Sequence, residues 1–243
     1  MARKAAQSSR VRPIDALRAI RGLVRDPDDT TLVFDLIDAL AGNAIERAFL
    51  RFRATESGAR LLAERPSLLE VLSDRERLLA LPVGTLGRTY GEFMSREEIS
   101  ANGLVGASER LGERDPSIPE ERYWFGERLR DMHDLWHVVT GYNRDLVGEA
   151  SLLAFTYAQV RNRGIGFIVA VAYLKAGGRE LPWARPMIRA AYRRGKAAAY
   201  LPAVEWEKLL EKPLDEVRRE LGVGVPPEYE QVRSEGAPVL APQ

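Results

Sequence analysis

The sequence contains no cysteine in its 243 residues. Its fold must therefore rest on packing rather than on disulfide bonds, and any metal site must use nitrogen and oxygen ligands. The sequence also has no large excess of charge of either sign, since it contains 36 Lys and Arg residues and 35 Asp and Glu residues. This balance gives no support to nucleic-acid binding over the whole surface, and we expect no nucleic-acid partner.

Long hydrophobic runs are missing as well. The longest apolar stretch, Ile165 to Leu174, is about half of what a helix needs to cross a bilayer. The first residues, Met1 to Arg12, are polar and basic and lack the apolar core of a secretory signal. We therefore expect a soluble protein that does not span a membrane, although it could lie on one.

The pattern that is present is helical. Apolar residues recur at helical spacing along most of the chain, and no alternating strand pattern emerges. Glu120 to Thr140 predicts one long helix. A second helix carries Glu149 and ends near Asn162, where Gly164 is placed to cap it. We predict an all-α fold with a single multi-helix domain. Its parts are a flexible basic arm at residues 1–12, an all-helical metal-binding domain at 13–222 and a flexible tail at 223–243.

The candidate metal ligands lie around the only two histidines of the sequence, His133 and His137. On a helix their spacing makes about one turn, so both imidazoles project from one face and can reach a common ion at about 2.1 Å. Asp134 lies roughly 100° around the helix from His133, where it can bind the same ion or hold a water molecule. A straight helix would put Glu149 about 18 Å from His137. Coordination of the same ion by Glu149 therefore requires the chain to turn back, and Gly141 to Gly148 contains the turn residues for this.

The spacing thus predicts a metal site between two antiparallel helices, with His133, Asp134, His137 and Glu149 as both ligands and catalytic residues. An alternative is a pair of surface or half-buried histidines next to ordinary acids. A metallohydrolase resembling the His-Glu-x-x-His proteases is a further alternative. It is weakened because Asp134 replaces the general-base glutamate, and its shorter side chain would not reach the same water.

Two separated motifs resemble the coenzyme Q (ubiquinone) biosynthesis protein 4 family. The His-Asp-x-x-His pattern, followed after eleven residues by Glu149, is similar to the family signature, and Arg128 to Asp134 resembles the approach to it. Leu81 to Met94 is similar to the upstream Leu-Pro-x-Gly-Thr-x-Gly segment. The resemblance runs from about Arg60 to Leu174. The helix after Glu149 lacks the lysine and acid expected of mitochondrial members, which suggests a divergent bacterial branch.

This resemblance implies a function in ubiquinone biosynthesis. Family members are described as metal-dependent lyases that remove the carboxyl group at ring carbon one of a polyprenylated 4-hydroxybenzoate precursor. The resemblance gives zinc as the metal and the same four residues as its ligands. Zinc is redox-inert, so an oxidative replacement of the carboxyl group would instead suit Fe²⁺, and Mg²⁺ is a further alternative.

The resemblance also implies a peripheral membrane protein that binds a polyprenylated aromatic lipid. We expect it in the cytoplasm on the inner face of a bacterial cell membrane, or on the matrix face of the mitochondrial inner membrane if the source is eukaryotic. Expected partners are other quinone biosynthesis proteins and further copies of the chain in a homo-oligomer. The alternative function is a non-catalytic scaffold that binds prenyl lipid, organises a quinone biosynthesis complex and uses its metal only structurally.

Substrate contacts are predicted at two places. Arg128 and Arg130 precede His133 closely enough for one of them to neutralise a substrate carboxylate and for the other to form a salt bridge with a neighbour of a ligand, although arginines on an exposed helix face have the same pattern. Phe167, Ile168 and Val171 could line an apolar slot for the prenyl tail, with plain core as the alternative. The basic residues of Arg10 to Arg25 and of Arg185 to Lys196 could meet anionic lipid headgroups or form a solvated face.

Overall fold

The computed structural model describes residues 11–25, 30–99, 118–176 and 180–233. These residues form helices and contain no strand, and their only β pairing is an isolated bridge between Thr85 and Pro213. The predicted all-α class is therefore confirmed for this part of the chain. The α-helices are α1 (Pro13–Arg25), α2 (Thr30–Ala41), α3 (Ala44–Arg53), α4 (Glu56–Glu64), α5 (Leu68–Ser73), α6 (Arg75–Ala80), α7 (Leu86–Arg96), α8 (Glu120–Asp131), α9 (His133–Thr140), α10 (Leu146–Val160), α11 (Arg163–Lys175), α12 (Ala184–Ala197) and α13 (Leu214–Glu220). Two 3-10 turns, Leu201–Ala203 and Trp206–Lys208, separate α12 from α13.

Two helix boundaries differ from the sequence prediction. The helix expected over Glu120 to Thr140 is interrupted at Met132, so that His133 is the first residue of α9. Gly164 does not cap α10, because Arg161 does so in the left-handed conformation, with φ of 55°. Gly164 instead lies in the first turn of α11, where an added Cβ would be 2.5 Å from the Cα of Ile37. Glycine is needed there because α11 crosses α2 at close range.

Helix α10 is the central element of the fold. Most of its residues are apolar, and Leu152, Ala154 and Phe155 have no exposed surface. Its most extensive neighbour is α12, and Gly195 of α12 permits close contact because a Cβ there would lie 2.6 Å from the Phe155 carbonyl oxygen. The main core forms where α7, α9, α10 and α12 meet, and it holds α9 and α10 side by side.

Residues 223–233 differ from the flexible tail predicted for 223–243. Val223 is buried, the backbone N–H of Leu146 donates to the carbonyl of Val232 at 2.9 Å, and Arg233 forms an ion pair with the buried carboxylate of Glu97 at 3.0 Å. This segment therefore lies against the end of α7 and the start of α10. Residues 234–243, and residues 1–10 of the predicted basic arm, lie outside the described residues.

Helices α1 and α11 both pack against α2 at one side of the fold. Each also carries exposed apolar side chains, among them Ile14 on α1, which is 68% exposed, and Leu174 on α11, which is 71% exposed. Among the residues that the structure describes, every helix is either too short or too polar to cross a bilayer.

Candidate metal centre

The hairpin of α9 and α10 brings two imidazoles and a carboxylate together. The rings of His133 and His137 have centroids 5.0 Å apart and stand at 75° to each other. Glu149, in the first turn of α10, places Oε1 3.4 Å from His137 Nε2 and Oε2 4.0 Å from His133 Nε2. One ligand atom from each of the three residues lies within 4.8 Å of the others. They are therefore close enough to share one cation after small side-chain adjustments.

The orientation of His137 is fixed by the backbone of the turn that follows α9. Its Nδ1 lies 2.7 Å from the carbonyl oxygen of Tyr142. A carbonyl can only accept a hydrogen bond, so the neutral ring carries its proton on Nδ1 and presents a lone pair at Nε2. That Nε2 is buried and has no hydrogen-bond partner in the described structure. A buried lone pair facing a carboxylate oxygen is unfavourable unless a cation or a second proton lies between them, and this arrangement fits a metal ligand.

Asp134 is set apart from the other three predicted ligands. Its carboxylate is buried, and its Oδ1 lies 3.3 Å from Nδ1 of His133. This hydrogen bond fixes the His133 ring so that Nε2 points toward Glu149, a role that carboxylates often have beside metal-binding histidines. The structure thus clusters His133, His137 and Glu149 and places Asp134 behind His133. Direct coordination by Asp134 stays a prediction.

The charges of the site keep its two carboxylates ionised. Burial alone would raise the pKa of Glu149, but in the metal-free protein the protonated forms of His137 and His133, together with Arg144, outweigh it and lower this pKa to about 2. Burial likewise opposes ionisation of Asp134, and its hydrogen bond with His133 keeps the pKa below the usual value. Burial would lower the pKa of His133, but Asp134 and Glu149 raise it above the usual value. Ionised carboxylates are the form that binds metal.

The turn between α9 and α10 has the residues that its shape requires. Gly141 ends α9 in the left-handed conformation, with φ of 76°. Asp145 caps α10 by accepting hydrogen bonds from the backbone N–H groups of Val147 and Gly148 at 3.2 and 3.3 Å. An added Cβ at Gly148 would lie 2.0 Å from the carbonyl oxygen of Asn143. The tight turn therefore requires glycine directly before Glu149.

The C-terminal segment 223–233 holds this turn from outside. The Tyr229 hydroxyl donates to Asp145 Oδ2 at 2.6 Å and accepts from the Asn143 N–H at 2.9 Å. The Val232 N–H donates to Asp145 Oδ1 at 3.1 Å. Nothing in the sequence pattern indicated these contacts, because the partners lie more than eighty residues apart along the chain.

Two arginines donate hydrogen bonds to the backbone carbonyls at the C-terminal end of α9. Arg218 donates to the carbonyl oxygens of Val138 and Val139 at 3.0 Å each, and Arg194 donates to that of Thr140 at 2.9 Å. These carbonyls include groups at a helix end that lack partners within the helix, and positive charge is favourable at that end. The helix that carries both histidines is therefore tied to α12 and α13.

Comparison with known proteins decides the family. The family model described as coenzyme Q (ubiquinone) biosynthesis protein Coq4 matches residues 12–227. The chain belongs to the Coq4 family. This confirms the resemblance drawn from the two motifs, and it assigns the chain to a family of ubiquinone biosynthesis.

Curated Coq4 relatives match most of the chain. The mitochondrial ubiquinone biosynthesis protein coq4 of Aspergillus flavus is 32% identical over 213 residues, which are 82% of this chain and 69% of that protein. The corresponding mitochondrial protein of Yarrowia lipolytica is 30% identical over 217 residues, 84% of this chain and 77% of that protein. A crystal structure of a protein from Nostoc punctiforme covers 89% of this chain and all of its own, with a TM-score of 0.65 at 24% identity. That likeness shows a shared fold.

The two arginines predicted to bind substrate have partners inside this Coq4 fold. Arg128 is 2% exposed and forms a two-pronged ion pair with Glu207 at 2.7 and 2.9 Å. Its guanidinium therefore ties α8 to the second 3-10 turn, and this structural role replaces the predicted contact with a substrate carboxylate. Arg130 is half-buried and donates through Nε to its neighbour Asp131 at 2.8 Å.

The apolar residues predicted to line a prenyl slot lie on different sides of α11. Ile168 is half-buried and packs against the small cluster formed by α1 and α2. Phe167 and Val171 are 39% and 37% exposed, on the side that also carries Leu174. Contact of these side chains with a prenyl tail stays a prediction.

Proposed function

We propose that this Coq4 family member is a metal-dependent enzyme that removes the carboxyl group at ring carbon one of a polyprenylated 4-hydroxybenzoate precursor. The observation that carries the proposal is the buried, unpartnered Nε2 of His137, which faces the ionised carboxylate of Glu149 at 3.4 Å. A purely structural histidine would be expected to have a partner for that atom.

The proposed metal is Zn²⁺, held by His133, His137 and Glu149, with Asp134 as a further ligand or as the group that orients His133. The ring of His133 and the carboxylate of Glu149 are 30% and 34% exposed, whereas His137 is completely buried. The site is thus closed on the side of the core and open to solvent on the other. An open position supports catalysis, since structural zinc sites are usually enclosed by four protein ligands. Fe²⁺ and Mg²⁺ are the alternatives.

The residues have distinct tasks in this proposal. A bound divalent ion supplies a Lewis acid that polarises a substrate oxygen. The Tyr142 carbonyl and Asp134 keep the Nε2 atoms of the two histidines turned inward. In the reaction the bond between the ring carbon and the carboxyl carbon breaks, and carbon dioxide leaves. The electron pair of the broken bond stays on the ring carbon, which then takes up a proton in place of the carboxyl group. Electron density moved from the phenolic oxygen reaches this carbon because the two positions are para to each other.

We also propose peripheral membrane contact through α1 and α11. Leu17 on α1 is 47% exposed, and Phe167, Val171 and Leu174 give α11 an apolar outer face. Arg18 and Arg21 are exposed on α1, where they would meet anionic headgroups. This face would hold the enzyme at the bilayer in which a polyprenylated substrate is dissolved. The membrane would be the inner face of a bacterial cell membrane or the mitochondrial inner membrane, and the curated relatives are named mitochondrial.

The alternative is a scaffold that binds prenyl lipid, joins other quinone biosynthesis proteins and has no catalytic activity. The exposed apolar side chains of α1 and α11 are compatible with that role, because a scaffold also needs a lipid or partner surface. The enzyme requires the carboxylate of Glu149 for turnover, whereas the scaffold needs residue 149 only as far as it keeps the structural metal in place.

Complementation separates the two functions. A strain that lacks the decarboxylation step is supplied with wild-type protein, Glu149→Gln, or the exposed control Glu64→Gln, and its quinones and precursors are profiled. We expect wild type and Glu64→Gln to restore ubiquinone, and Glu149→Gln to accumulate the carboxylated precursor at equal protein abundance. Full restoration by Glu149→Gln would refute the catalytic proposal and favour the scaffold.

A further inference from the structure

An arginine that the sequence interpretation did not consider lies at the open side of the metal centre. Arg144 is in the turn between α9 and α10, and its Nε is 3.7 Å from Oε1 of Glu149. That oxygen also lies 3.4 Å from Nε2 of His137. The side chain of Arg144 is 34% exposed, as is that of Glu149. The guanidinium therefore lies beside Glu149, and both side chains are partly open to solvent.

The backbone on both sides of Arg144 is held in place. The N–H of Asn143 donates to the Tyr229 hydroxyl at 2.9 Å, and the carboxylate of Asp145 is buried and accepts from Tyr229 and Val232 at 2.6 and 3.1 Å. A charged residue on an unsupported surface loop would sample many positions. Here the C-terminal segment fixes the residues before and after Arg144, so the guanidinium has a defined starting point at the site.

The guanidinium makes only a long ion pair, with Glu149, within the described residues. Its distance to Glu149 is longer than a hydrogen bond, and within the described residues the Arg144 side chain makes no hydrogen bond at all. The other arginines close to the site differ in this respect. Arg128 is bound to Glu207, Arg130 to Asp131, and Arg194 to backbone carbonyls. Arg144 thus keeps its donors for a molecule that enters from solvent.

The charge of the loaded site favours an anion. The carboxylates of Glu149 and Asp134 together would balance the charge of a divalent cation. Arg144 adds a positive charge, which by itself lowers the pKa values of His133, Asp134 and Glu149. Asp131 is paired with Arg130 at 2.8 Å, so these two residues add no net charge. A ligand that carries a negative charge would therefore make the site neutral.

We propose that Arg144 is a substrate-binding residue that pairs with the carboxylate of the aromatic acid at the mouth of the metal centre. The planar guanidinium offers two parallel N–H donors, which match the two oxygens of a carboxylate. This inference rests on the proposed function, since it supplies the recognition of the group that the proposed reaction removes. It also explains how product leaves, because decarboxylation destroys the group that Arg144 holds.

The test compares an acid with its neutral isostere. Full-length protein loaded with Zn²⁺ is titrated in a calorimeter with 3-geranyl-4-hydroxybenzoate and with the corresponding 4-hydroxybenzamide. Wild type is expected to bind the acid at least about tenfold more tightly than the amide, as loss of a charged hydrogen bond commonly has this effect. Arg144→Gln should lose this preference and keep the amide affinity, and Arg144→Lys should restore part of it. The matched control is Arg77→Gln, which removes a charge from a side chain that is 59% exposed.

The outcomes separate this inference from the function on which it rests. An unchanged preference for the acid in Arg144→Gln would refute the role of Arg144 while leaving the metal enzyme intact. Equal loss of acid, amide and zinc affinity in Arg144→Gln would also refute it, because the arginine would then position Glu149 rather than bind substrate. A wild-type protein that takes up no Zn²⁺ and binds neither compound would overturn the proposed function itself, and the inference with it.

Discussion

At the scale of single residues, the two ring nitrogens of His137 have different tasks. Nδ1 is bound to the Tyr142 carbonyl at 2.7 Å, and Nε2 is buried opposite Glu149 without a hydrogen-bond partner in the described structure. Turning the ring over would break a buried hydrogen bond, which costs about 1–3 kcal/mol when the partner is left unsatisfied. The imidazole of His137 is therefore oriented to bind a metal ion before the ion arrives.

Tyr229 provides a test at this scale. We expect Tyr229→Phe to lower the free energy of unfolding by about 1–3 kcal/mol, because the buried carboxylate of Asp145 and the N–H of Asn143 both lose the hydroxyl. Denaturant titration measures this change. Tyr192→Phe is the matched control, since its hydroxyl meets Arg161 at an exposed position. It should change stability by less than about 0.5 kcal/mol. Equal effects of the two variants would show that the Tyr229 hydroxyl does not stabilise the turn.

At the scale of secondary-structure elements, the hairpin of α9 and α10 creates the site. The histidines belong to α9 and the carboxylate to α10, and Gly148 in the first turn of α10 packs too closely against the preceding turn to carry a side chain. Gly148→Ala would place a Cβ 2.0 Å from the Asn143 carbonyl oxygen. We expect this substitution to destabilise the protein by more than about 2 kcal/mol, as backbone must move.

Gly126→Ala is the control for that prediction. Gly126 lies within α8, and an added Cβ would meet nothing within 4 Å. Alanine should therefore raise stability by about 0.5–1 kcal/mol through its greater helix propensity. Thermal unfolding of both variants measures the difference. A Gly148→Ala protein as stable as Gly126→Ala would contradict the description of the turn.

The outer face of α11 gives a second prediction for an element. We expect Leu174→Glu to reduce binding to vesicles of anionic phospholipid by about tenfold, because a charge would replace a side chain that is 71% exposed on the proposed membrane face. Val83→Glu is the control, since Val83 is 82% exposed in the loop before α7. Co-sedimentation with vesicles measures both. Equal binding by wild type and Leu174→Glu would exclude this face as the membrane contact.

Sequence analysis succeeds where the information is local. Helical periodicity gave the all-α class, and the spacing of His133, His137 and Glu149, together with the motif near Leu81, gave the family. It failed where contacts join distant segments. An arginine just before His133 looks the same in the sequence whether its side chain binds a substrate or forms an ion pair within the protein. Arg128 does the latter, with a glutamate 79 residues away.

The same limit explains two further differences. The polar composition of the C-terminal segment does not reveal that Tyr229 reaches Asp145, because hydrophobic periodicity says nothing about which loops meet. Gly164 was interpreted as a helix cap, since close approach of two helices and a left-handed residue both require glycine. Only the three-dimensional neighbour, the backbone of Ile37, distinguishes the two cases.

At the scale of the whole molecule, residues from distant parts of the chain support one small site. Phe93 stacks beside His137 from α7, with ring centroids 5.8 Å apart, and Arg194 and Arg218 hold the end of α9. The C-terminal segment secures the turn before Glu149. A metal that binds only the folded protein stabilises it in proportion to its affinity. Folding and metal binding should therefore be coupled through the whole helical bundle.

The central claim is tested most directly by the metal content of the purified full-length protein. Elemental analysis after dialysis should find about one divalent ion per wild-type chain, as expected for a single site of this donor set. The variant with both His133→Ala and His137→Ala should lose it while circular dichroism shows an unchanged helix content. Retention of the ion by that folded double variant, or its absence from zinc-supplemented wild type, would contradict the account.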